Sequence, residues 1–296
     1  MEFAICQWAP DTSDKAFASL SEEGVTALEP GASFLQLDDA AIEDAAVRLR
    51  AVGIRIYSCH APFGGKADLS HPDEAERTNA VAAHKDAIRR ARAMGARCLV
   101  IHPSGPMRED ERRARHKQLH VSLDTLVAEA EGAGVRLSLE NMLPGYLCDE
   151  GAALRAVVDA FDSPHLGVCF DTGHAHLNRD GVLASFRAVR ERVNAFHLQD
   201  NDGRADKHLQ PPYGTIDWGA FRDEFRGLAF TGRASVEALP WNLGSWKLLL
   251  HEVQALFSVG LLTVPLGRRK VRVICAECGR YCFGTPESCS CGCGSS

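Results

Sequence analysis

Residues 196–218 read FHLQDNDGRADKHLQPPYGTIDW, and much of the chain repeats their pattern of an apolar strand followed by polar residues. An apolar run at residues 193–198, interrupted by His197, leads into a loop that contains Asp206 and His208. In an extended segment, side chains two residues apart point to the same side, so Asp206 and His208 could reach one ion. The stretch therefore indicates a metal site, with a solvated loop of ordinary turns as the alternative.

The composition indicates a globular protein and indicates neither a basic nucleic-acid surface nor a membrane span. The chain has 296 residues, of which 45% are hydrophobic, and a net charge of −6. This length allows one large domain or two with a sizeable core, and the charge does not indicate a basic nucleic-acid surface. No apolar run approaches the length of a membrane span, and the chain starts in a strand-like pattern without a signal peptide. We expect a cytoplasmic protein with no membrane partner.

Short apolar runs alternate with helical patterns along most of the chain. The runs are continuously apolar, as in a parallel sheet that is covered on both faces. Eight repeats of strand and helix predict a closed (β/α)₈ barrel. An open doubly wound sheet is the alternative, but no G-x-G-x-x-G opens a helix after the first strand. The predicted strands are residues 2–7, 33–37, 54–59, 98–102, 135–140, 166–171, 193–199 and 233–237.

Ligand-type side chains stand at the predicted carboxyl ends of six of these strands. A (β/α)₈ barrel places its active site at those ends. One histidine there would more often be structural than a ligand, but six strand ends that converge on one opening indicate a metal site, because burying unpaired polar groups is costly. The residues are His60, His102, Glu140, Asp171, His174, His197 and Glu237.

Four short motifs carry a resemblance to a known family. They are L-E-N at residues 139–141, F-D-T-G-H at 170–174, the H-L-Q-D-N-D-G…D-K-H loop from residue 197, and V-E-A at 236–238. Over roughly residues 1–260 the chain resembles the xylose isomerase-like TIM barrel superfamily. This superfamily includes sugar phosphate isomerases and epimerases as well as endonuclease IV, of AP endonuclease family 2.

The resemblance implies two ligand sets. In members similar to ketose 3-epimerases one divalent ion is held by four residues, whose matches here are Glu140, Asp171, His197 and Glu237. Endonuclease IV holds three zinc ions with additional ligands, and these also have matches: His60, His102, His174, Asp206 and His208. Because the complete set of nine is present, the expected number of metal ions stays open between one and three.

The first functional interpretation is a metal-dependent sugar isomerase or epimerase of carbohydrate metabolism, with a sugar or polyol substrate. A proton beside a carbonyl is removed through an enediolate, which a divalent ion stabilises. Glu140 and Glu237 are the expected acid and base, and His174 would donate to a substrate oxygen or orient a ligand. Carboxylate and imidazole ligands suit Mn²⁺ or Zn²⁺, with Co²⁺ and Mg²⁺ as alternatives.

The second interpretation is a zinc-dependent AP endonuclease, similar to endonuclease IV. It is disfavoured because repair enzymes of the family show D-T-C-H where this chain has Asp171-Thr172-Gly173-His174. The predicted strand-end loops are mostly short, and no cluster of arginines and aromatic residues marks a surface that binds a DNA groove. Nucleic acid is therefore not the expected partner. Keto-sugar or polyol dehydratases and lyases on the same barrel stay open.

The C-terminal segment is rich in cysteine and predicts a separate module. We expect a barrel at residues 1–262, a linker at 263–270 and a small module like a zinc ribbon at 271–296. About 26 residues cannot fold on a hydrophobic core alone, so a structural zinc site is expected, with disulfides as the alternative. The module would stabilise the terminus or contact a partner, including a second copy of the chain. The candidate ligands are Cys275, Cys278, Cys289, Cys291 and Cys293, with Cys282 as an additional candidate.

Overall fold

Strands and helices alternate through most of the described chain. The computed structural model describes residues 2–8, 11–228, 230, 232–240 and 244–258, and the backbone of three strands within 271–289. The strands of the main sheet are β1 (Phe3–Gln7), β2 (Ala27–Pro30), β3 (Arg55–Ile56), β4 (Ser58–His60), β5 (Cys98–Ile101), β6 (Arg136–Glu140), β7 (Leu166–Asp171), β8 (Val193–Leu198) and β9 (Ala234–Val236).

These nine strands form a single parallel sheet in the order β3-β2-β1-β9-β8-β7-β6-β5-β4. Only Tyr57 separates β3 from β4, so the two ends of the order meet and the sheet curls into a nearly closed barrel. The backbone oxygen of Tyr57 accepts a hydrogen bond from the nitrogen of Arg97 at 2.8 Å, next to β5. The predicted (β/α)₈ barrel is confirmed, with its third strand in two pieces.

Helices surround the barrel, and several of them begin at a side-chain cap. Asp38, Asp73 and Asp217 each accept a hydrogen bond from a backbone nitrogen in the first turn, which satisfies a donor that the helix itself leaves free. In the described part of the chain, every helix is too short or too polar to cross a lipid bilayer. The helices are α1 (Asp14–Glu22), α2 (Asp39–Ala51), α3 (Glu74–Met94), α4 (Arg112–Ala133), α5 (Gly151–Asp159), α6 (Thr172–Leu177), α7 (Gly181–Val189), α8 (Trp218–Arg226) and α9 (Trp246–Phe257).

A cluster of phenylalanines packs the helices onto the strands next to the site. Phe170 on β7 and Phe196 on β8 are fully buried against Phe186 of α7 and Phe221 of α8. Ring centroids of Phe170 and Phe186 are 5.2 Å apart, a distance at which aromatic pairs attract. This layer holds the two strands whose carboxyl ends carry Asp171 and His197.

The predicted strand at residues 33–37 is wrong. Phe34–Gln36 forms a short 3₁₀ helix instead, and the second strand is β2. Two features hide β2 in the sequence: Glu29 interrupts its apolar run, and Pro30 lacks the N–H that a strand interior normally uses. The error matters for the site, because β2 brings the carboxylate of Glu29 to the carboxyl end of the barrel.

The C-terminal segment contains three short antiparallel strands. These are β10 (Val271–Ile274), β11 (Tyr281–Thr285) and β12 (Ser288–Cys289). Of the proposed zinc ligands, Cys275, Cys278, Cys291 and Cys293 lie outside the described residues, and only the backbone of Cys289 and Cys282 is described. The proposed linker at 263–270 also lies outside the described residues, so the domain boundaries and the zinc site stay predictions.

Candidate metal centre

Four buried side chains meet at the carboxyl end of the barrel. Glu140 and Asp171 are the last residues of β6 and β7, His197 lies one residue before the end of β8, and Glu237 directly follows β9. Because parallel strands end at the same edge, their terminal side chains converge. Each of the four offers one ligand atom, and these atoms all lie within 4.8 Å of one another. The group has the composition and the spacing of a metal site.

His197 contacts three buried carboxylates. Its Nδ1 atom lies 2.8 Å from Oε1 of Glu140 and 3.1 Å from Oε2 of Glu237. Its Nε2 atom lies 2.7 Å from Oε1 of Glu29. Burial alone would lower the pKa of His197, but the negative groups around it raise that pKa well above its usual value. The ring therefore has a partner on each side and a fixed orientation.

Glu29 is a residue of the site that was not predicted from the sequence. Its side chain is buried, and its Oε2 atom accepts hydrogen bonds from the hydroxyls of Ser58 and Ser235. Burial alone would raise the pKa of Glu29, but the facing His197 lowers it to about 2. A charged residue inside an otherwise apolar strand was the available signal, because such a residue is almost never buried unless it is paired.

The four side chains are three carboxyl groups and one imidazole, a set that favours a bound cation. Oε2 of Glu140 and Oε2 of Glu237 are buried and accept no hydrogen bond, although imidazole nitrogens lie 3.0 and 3.1 Å away. Burial raises the pKa of Asp171 to about 8, and the charges of Glu237 and Glu140 add to this effect despite the nearby His174. Crowded carboxylates repel one another unless a proton or a metal ion lies among them. The residues present therefore fit a divalent cation.

A second group of possible ligands adjoins the first. His60, His102 and Glu140 also bring ligand atoms within 4.8 Å of one another. Nδ1 of His60 lies 2.8 Å from the backbone oxygen of Ala61, and its Nε2 atom lies 3.6 Å from Oε2 of Glu140. Burial lowers the pKa of His102, which favours the neutral ring that a metal ion requires.

A third group lies on the loop after β8. Nε2 of His208 is 3.0 Å from Oδ2 of Asp206, and Nε2 of His174 is 3.5 Å from the same oxygen. The other ring nitrogen of His174 lies 2.9 Å from the backbone oxygen of Asn141. Burial alone would lower the pKa of His208, but Asp206 raises it to about 9. These contacts fix both imidazoles around one carboxylate.

A buried carboxylate holds this loop in place. Oδ2 of Asp200 accepts hydrogen bonds from Nε1 of Trp218 at 2.7 Å and from the backbone nitrogen of Gly214 at 3.0 Å. Nε2 of Gln199 donates to Oδ1 of Asp206 at 2.7 Å. These side-chain contacts add to the antiparallel backbone bridge between Asp200 and Leu209, and together they set the position of Asp206 relative to β8.

The nine predicted ligands line one cavity of about 500 Å³ or contact residues that line it. Asp171 and His197 are fully buried and belong to the second kind: Asp171 lies beside His174, and Nδ1 of His197 lies 2.8 Å from Oε1 of Glu140. The other seven line the cavity: His60, His102, Glu140, His174, Asp206, His208 and Glu237. The structure therefore brings the whole predicted set together, and the assignment of each residue as a ligand stays a prediction.

The chain is similar to a family of known barrels and to several curated proteins. A sequence model of the xylose isomerase-like TIM barrel family matches residues 17–248. The uncharacterized protein y4fM of Sinorhizobium fredii is 28% identical over 217 residues, which are 65% of this chain and 68% of that protein. A probable endonuclease 4 of Mycoplasmoides gallisepticum is 24% identical over 173 residues, which cover 54% of this chain and 56% of that protein.

Solved structures share the fold at low sequence identity. A D-tagatose 3-epimerase-like protein superposes with a TM-score of 0.73 at 22% identity, over 86% of this chain and 96% of that one. The IolI protein, whose crystal structure contains a bound zinc atom, superposes with a TM-score of 0.71 at 16% identity, over 86% and 96% of the two chains. At these identities the similarity concerns the fold alone.

Proposed function

The chain belongs to the xylose isomerase-like TIM barrel family, and we propose that it is a divalent-metal-dependent sugar isomerase or epimerase of carbohydrate metabolism. One observation carries this proposal: the ligand atoms of Glu140, Asp171, His197 and Glu237 lie within 4.8 Å of one another at the carboxyl end of the barrel. The shared fold with a D-tagatose 3-epimerase-like protein supports it.

Glu140, Asp171, His197 and Glu237 would hold the metal ion. Their carboxylate oxygens and imidazole nitrogen suit Mn²⁺ or Zn²⁺, with Co²⁺ and Mg²⁺ as alternatives. A divalent cation held there would supply positive charge that acidifies the proton on the carbon next to the substrate carbonyl. Elemental analysis of the purified protein distinguishes these four ions.

Glu140 and Glu237 would move the proton. One carboxylate takes the proton from the carbon beside the carbonyl, the C–H electron pair becomes the double bond of an enediolate, and the carbonyl oxygen gains the negative charge. The other glutamate, which would have to carry a proton at this point, returns it to the opposite face of the same carbon. In an isomerase the proton goes to the former carbonyl carbon instead, and the hydroxyl hydrogen moves from its own oxygen to the former carbonyl oxygen. The strands β7 and β8 separate these two glutamates in the sheet, so they approach the cavity from different directions.

The remaining residues of the cavity would bind and orient the sugar. His174 lines the cavity, with its Nε2 atom 3.5 Å from Oδ2 of Asp206, and it would donate to a substrate oxygen or orient a ligand. Trp8 and Phe63 line the mouth, are 36% and 46% exposed, and have ring centroids 6.0 Å apart. Such rings pack against the apolar face of a sugar and exclude water from the oxygens below.

Solvent exchange tests the proposed reaction. With a ketose or keto-polyol substrate in heavy water, the product should gain deuterium at one carbon, and Glu140→Gln should abolish both turnover and exchange. Turnover without any deuterium from the solvent would contradict proton abstraction by a glutamate and would favour a hydride shift. A keto-sugar or polyol dehydratase or lyase starts with the same proton removal, so identification of the product separates these alternatives from the isomerase.

A zinc-dependent AP endonuclease is the second candidate, and a specific observation favours it. His60, His102, His174, Asp206 and His208 surround the same cavity as the first four ligands, so more than one metal ion could bind. Similarity to a probable endonuclease 4 agrees with this candidate. We expect no cleavage of a duplex with an abasic site above the rate of buffer with zinc. Robust cleavage that Glu140→Gln abolishes would instead establish the endonuclease.

Five buried cysteines of the described residues, which have no disulfide partner, favour a reducing compartment. Cys6, Cys59, Cys98, Cys148 and Cys169 are buried free thiols in the part of the chain that the structure describes. Free thiols are typical of a reducing compartment, so we propose the cytoplasm. We propose that the C-terminal segment binds a structural zinc ion. We also propose that this segment contacts a protein partner or a second copy of the chain.

A further inference from the structure

Glu29 is a buried carboxylate that the proposed reaction does not use. Its side chain is 1% exposed at the carboxyl half of β2. Its Oε1 atom lies 2.7 Å from Nε2 of His197, and its Oε2 atom accepts hydrogen bonds from the hydroxyls of Ser58 and Ser235. Burial of a charge is costly unless every oxygen has a partner, and here both oxygens do.

We propose that Glu29 is a positioning residue of the metal centre: it accepts the hydrogen on Nε2 of His197 and thereby directs Nδ1 toward Glu140 and Glu237. This inference rests on the proposed function, because it assumes a cation among those carboxylates. It goes beyond that function by assigning the nitrogen of His197 that binds the cation and the residue that selects it.

The chemistry of imidazole explains the selection. A neutral ring carries one hydrogen, and only the nitrogen without it offers a lone pair to a metal ion. A carboxylate beside Nε2 keeps the hydrogen on that atom and leaves the lone pair of Nδ1 free. Nδ1 is also the atom that lies 2.8 Å from Glu140 and 3.1 Å from Glu237. Glu29 thus sets both the orientation of the His197 ring and the strength with which the ring binds a metal ion.

Two serines hold Glu29 in the required position. Ser58 lies on β4 and Ser235 on β9, and each is 1% exposed. Ser235 Oγ is 2.7 Å from Oε2 of Glu29. Both hydroxyls contact the same oxygen, so the other oxygen faces Nε2 of His197, with the thiol of Cys6 as a weaker donor at 3.5 Å. The carboxylate is therefore fixed from two other strands before any metal ion binds.

A different interpretation makes Glu29 a ligand itself. Cys6, Glu29 and His197 bring ligand atoms within 4.8 Å of one another, so they could form a thiolate metal site. The hydrogen bonds favour the positioning role. Both oxygens of Glu29 already have hydrogen-bond partners, whereas Oε2 of Glu140 and Oε2 of Glu237 are buried without one and are free to bind a cation.

The test measures metal binding without any substrate. The full-length protein is stripped of metal, and its affinity for Zn²⁺ and Co²⁺ is measured by competition with a chromogenic chelator. The absorption spectrum of the Co²⁺ protein reports the geometry around the ion. The variants are Glu29→Ala, Glu29→Gln and Cys6→Ala. Asp68→Asn is the matched control, since Asp68 is a buried carboxylate whose partners are Arg115 and Ser70.

We expect the two Glu29 variants to lose metal affinity to different extents. Glu29→Ala should weaken metal affinity at the barrel site about 10–100-fold, the usual effect of removing a partner of a metal-binding histidine, and should alter the Co²⁺ spectrum. Glu29→Gln keeps an oxygen for Nε2 and should retain the spectrum with a smaller loss of affinity, which also covers the case that the alanine variant does not fold. Cys6→Ala and Asp68→Asn should bind metal as the parent does, although Asp68→Asn lowers the melting temperature.

Two results would overturn the proposal. Parental affinity and an unchanged Co²⁺ spectrum in both Glu29 variants would show that Glu29 does not position the ring. A lower metal-to-protein ratio in Cys6→Ala would make Cys6 and Glu29 ligands instead. Failure of the proposed function has a different signature, in which the parent protein binds no metal ion at all or binds one and turns over no sugar.

Discussion

Nδ1 of His197 lies 2.8 Å from Oε1 of Glu140, although 57 positions separate the two residues in the chain. The contact joins the carboxyl end of β8 to that of β6 across β7, whose last residue is Asp171. A metal ion among these three side chains would thus have ligands from three neighbouring strands, each held by the parallel sheet. Such a rigid site positions a substrate better than one on loops alone.

Replacement of Glu237 by glutamine should separate proton transfer from metal binding. The amide keeps one oxygen in nearly the same place but removes a base and one negative charge. We expect metal affinity to fall modestly, while solvent exchange falls by at least the ~10²-fold typical of a lost acid or base. Glu224→Gln is the control, because Glu224 pairs with Arg187 at the surface. Equal losses of affinity and exchange would show that Glu237 is only a ligand.

Replacement of His102 by alanine should reveal how many metal ions the reaction uses. Nε2 of His102 lies 3.0 Å from Oε2 of Glu140 and is 15% exposed at the cavity. If one ion suffices, the variant keeps its metal content and KM rises more than kcat falls, with the same result for His60→Ala. His176→Ala serves as control, since His176 contacts Thr215. Loss of one ion together with loss of turnover would disprove the single-ion mechanism.

A methyl group at Gly214 should disturb the loop that carries Asp206. A Cβ atom there would lie 2.2 Å from Oδ1 of Asp200 and 2.3 Å from the backbone oxygen of Asn201. We expect Gly214→Ala to lower the free energy of unfolding by about 1–3 kcal/mol, as overpacking does. Gly132→Ala, at a helical glycine with nothing within 4 Å of the new atom, should instead stabilise by about 0.5 kcal/mol. Chemical denaturation distinguishes the two, and equal effects would refute the steric argument.

His84 should make the protein less stable in mild acid. It is fully buried on α3, and burial lowers its pKa from 6.5 to about 4. Between those values the unfolded chain binds the proton and the folded chain does not, so stability falls as pH falls through 6.5 toward 4. From pH 7 to pH 5 the loss should be about 2 kcal/mol. His84→Leu removes this titration, so urea denaturation of the metal-free proteins should show a smaller loss in the variant, and identical pH slopes would count against the assignment.

The C-terminal cysteines should bind their own zinc ion. We expect a chain that ends at Val264 to lose about one zinc per molecule and to keep the metal of the barrel, because the two ligand sets do not overlap in sequence. The full-length double variant Cys275→Ser with Cys278→Ser should show the same loss. Elemental analysis is the measurement, and an unchanged zinc content in both proteins would exclude the proposed tail site.

The sequence alone was sufficient for the barrel and for most of the site. Alternation of apolar runs with helical patterns is a local property of the sequence. Eight repeats of strand and helix are compatible with only a few architectures. A strand end followed by His, Asp or Glu is also local, so His60, His102, Glu140 and His174 could be placed at one opening before their distances were known. The prediction of the second strand was wrong for a local reason too, because Glu29 and Pro30 make β2 unlike an apolar strand.

Tertiary packing alone decided the relations between residues far apart in the chain. Glu29 and His197 are 168 positions apart, and only the curvature of the sheet brings their side chains within 2.7 Å. The loop position of Asp206 depends on the buried contacts of Asp200, which no strand or helix period encodes. The sequence by itself thus determined most of the side chains that reach the carboxyl end of the barrel, with Glu29 as the exception, since strand ends are read from local pattern. The closed barrel decided which of their atoms meet, because those distances follow from how strands pack around a common axis.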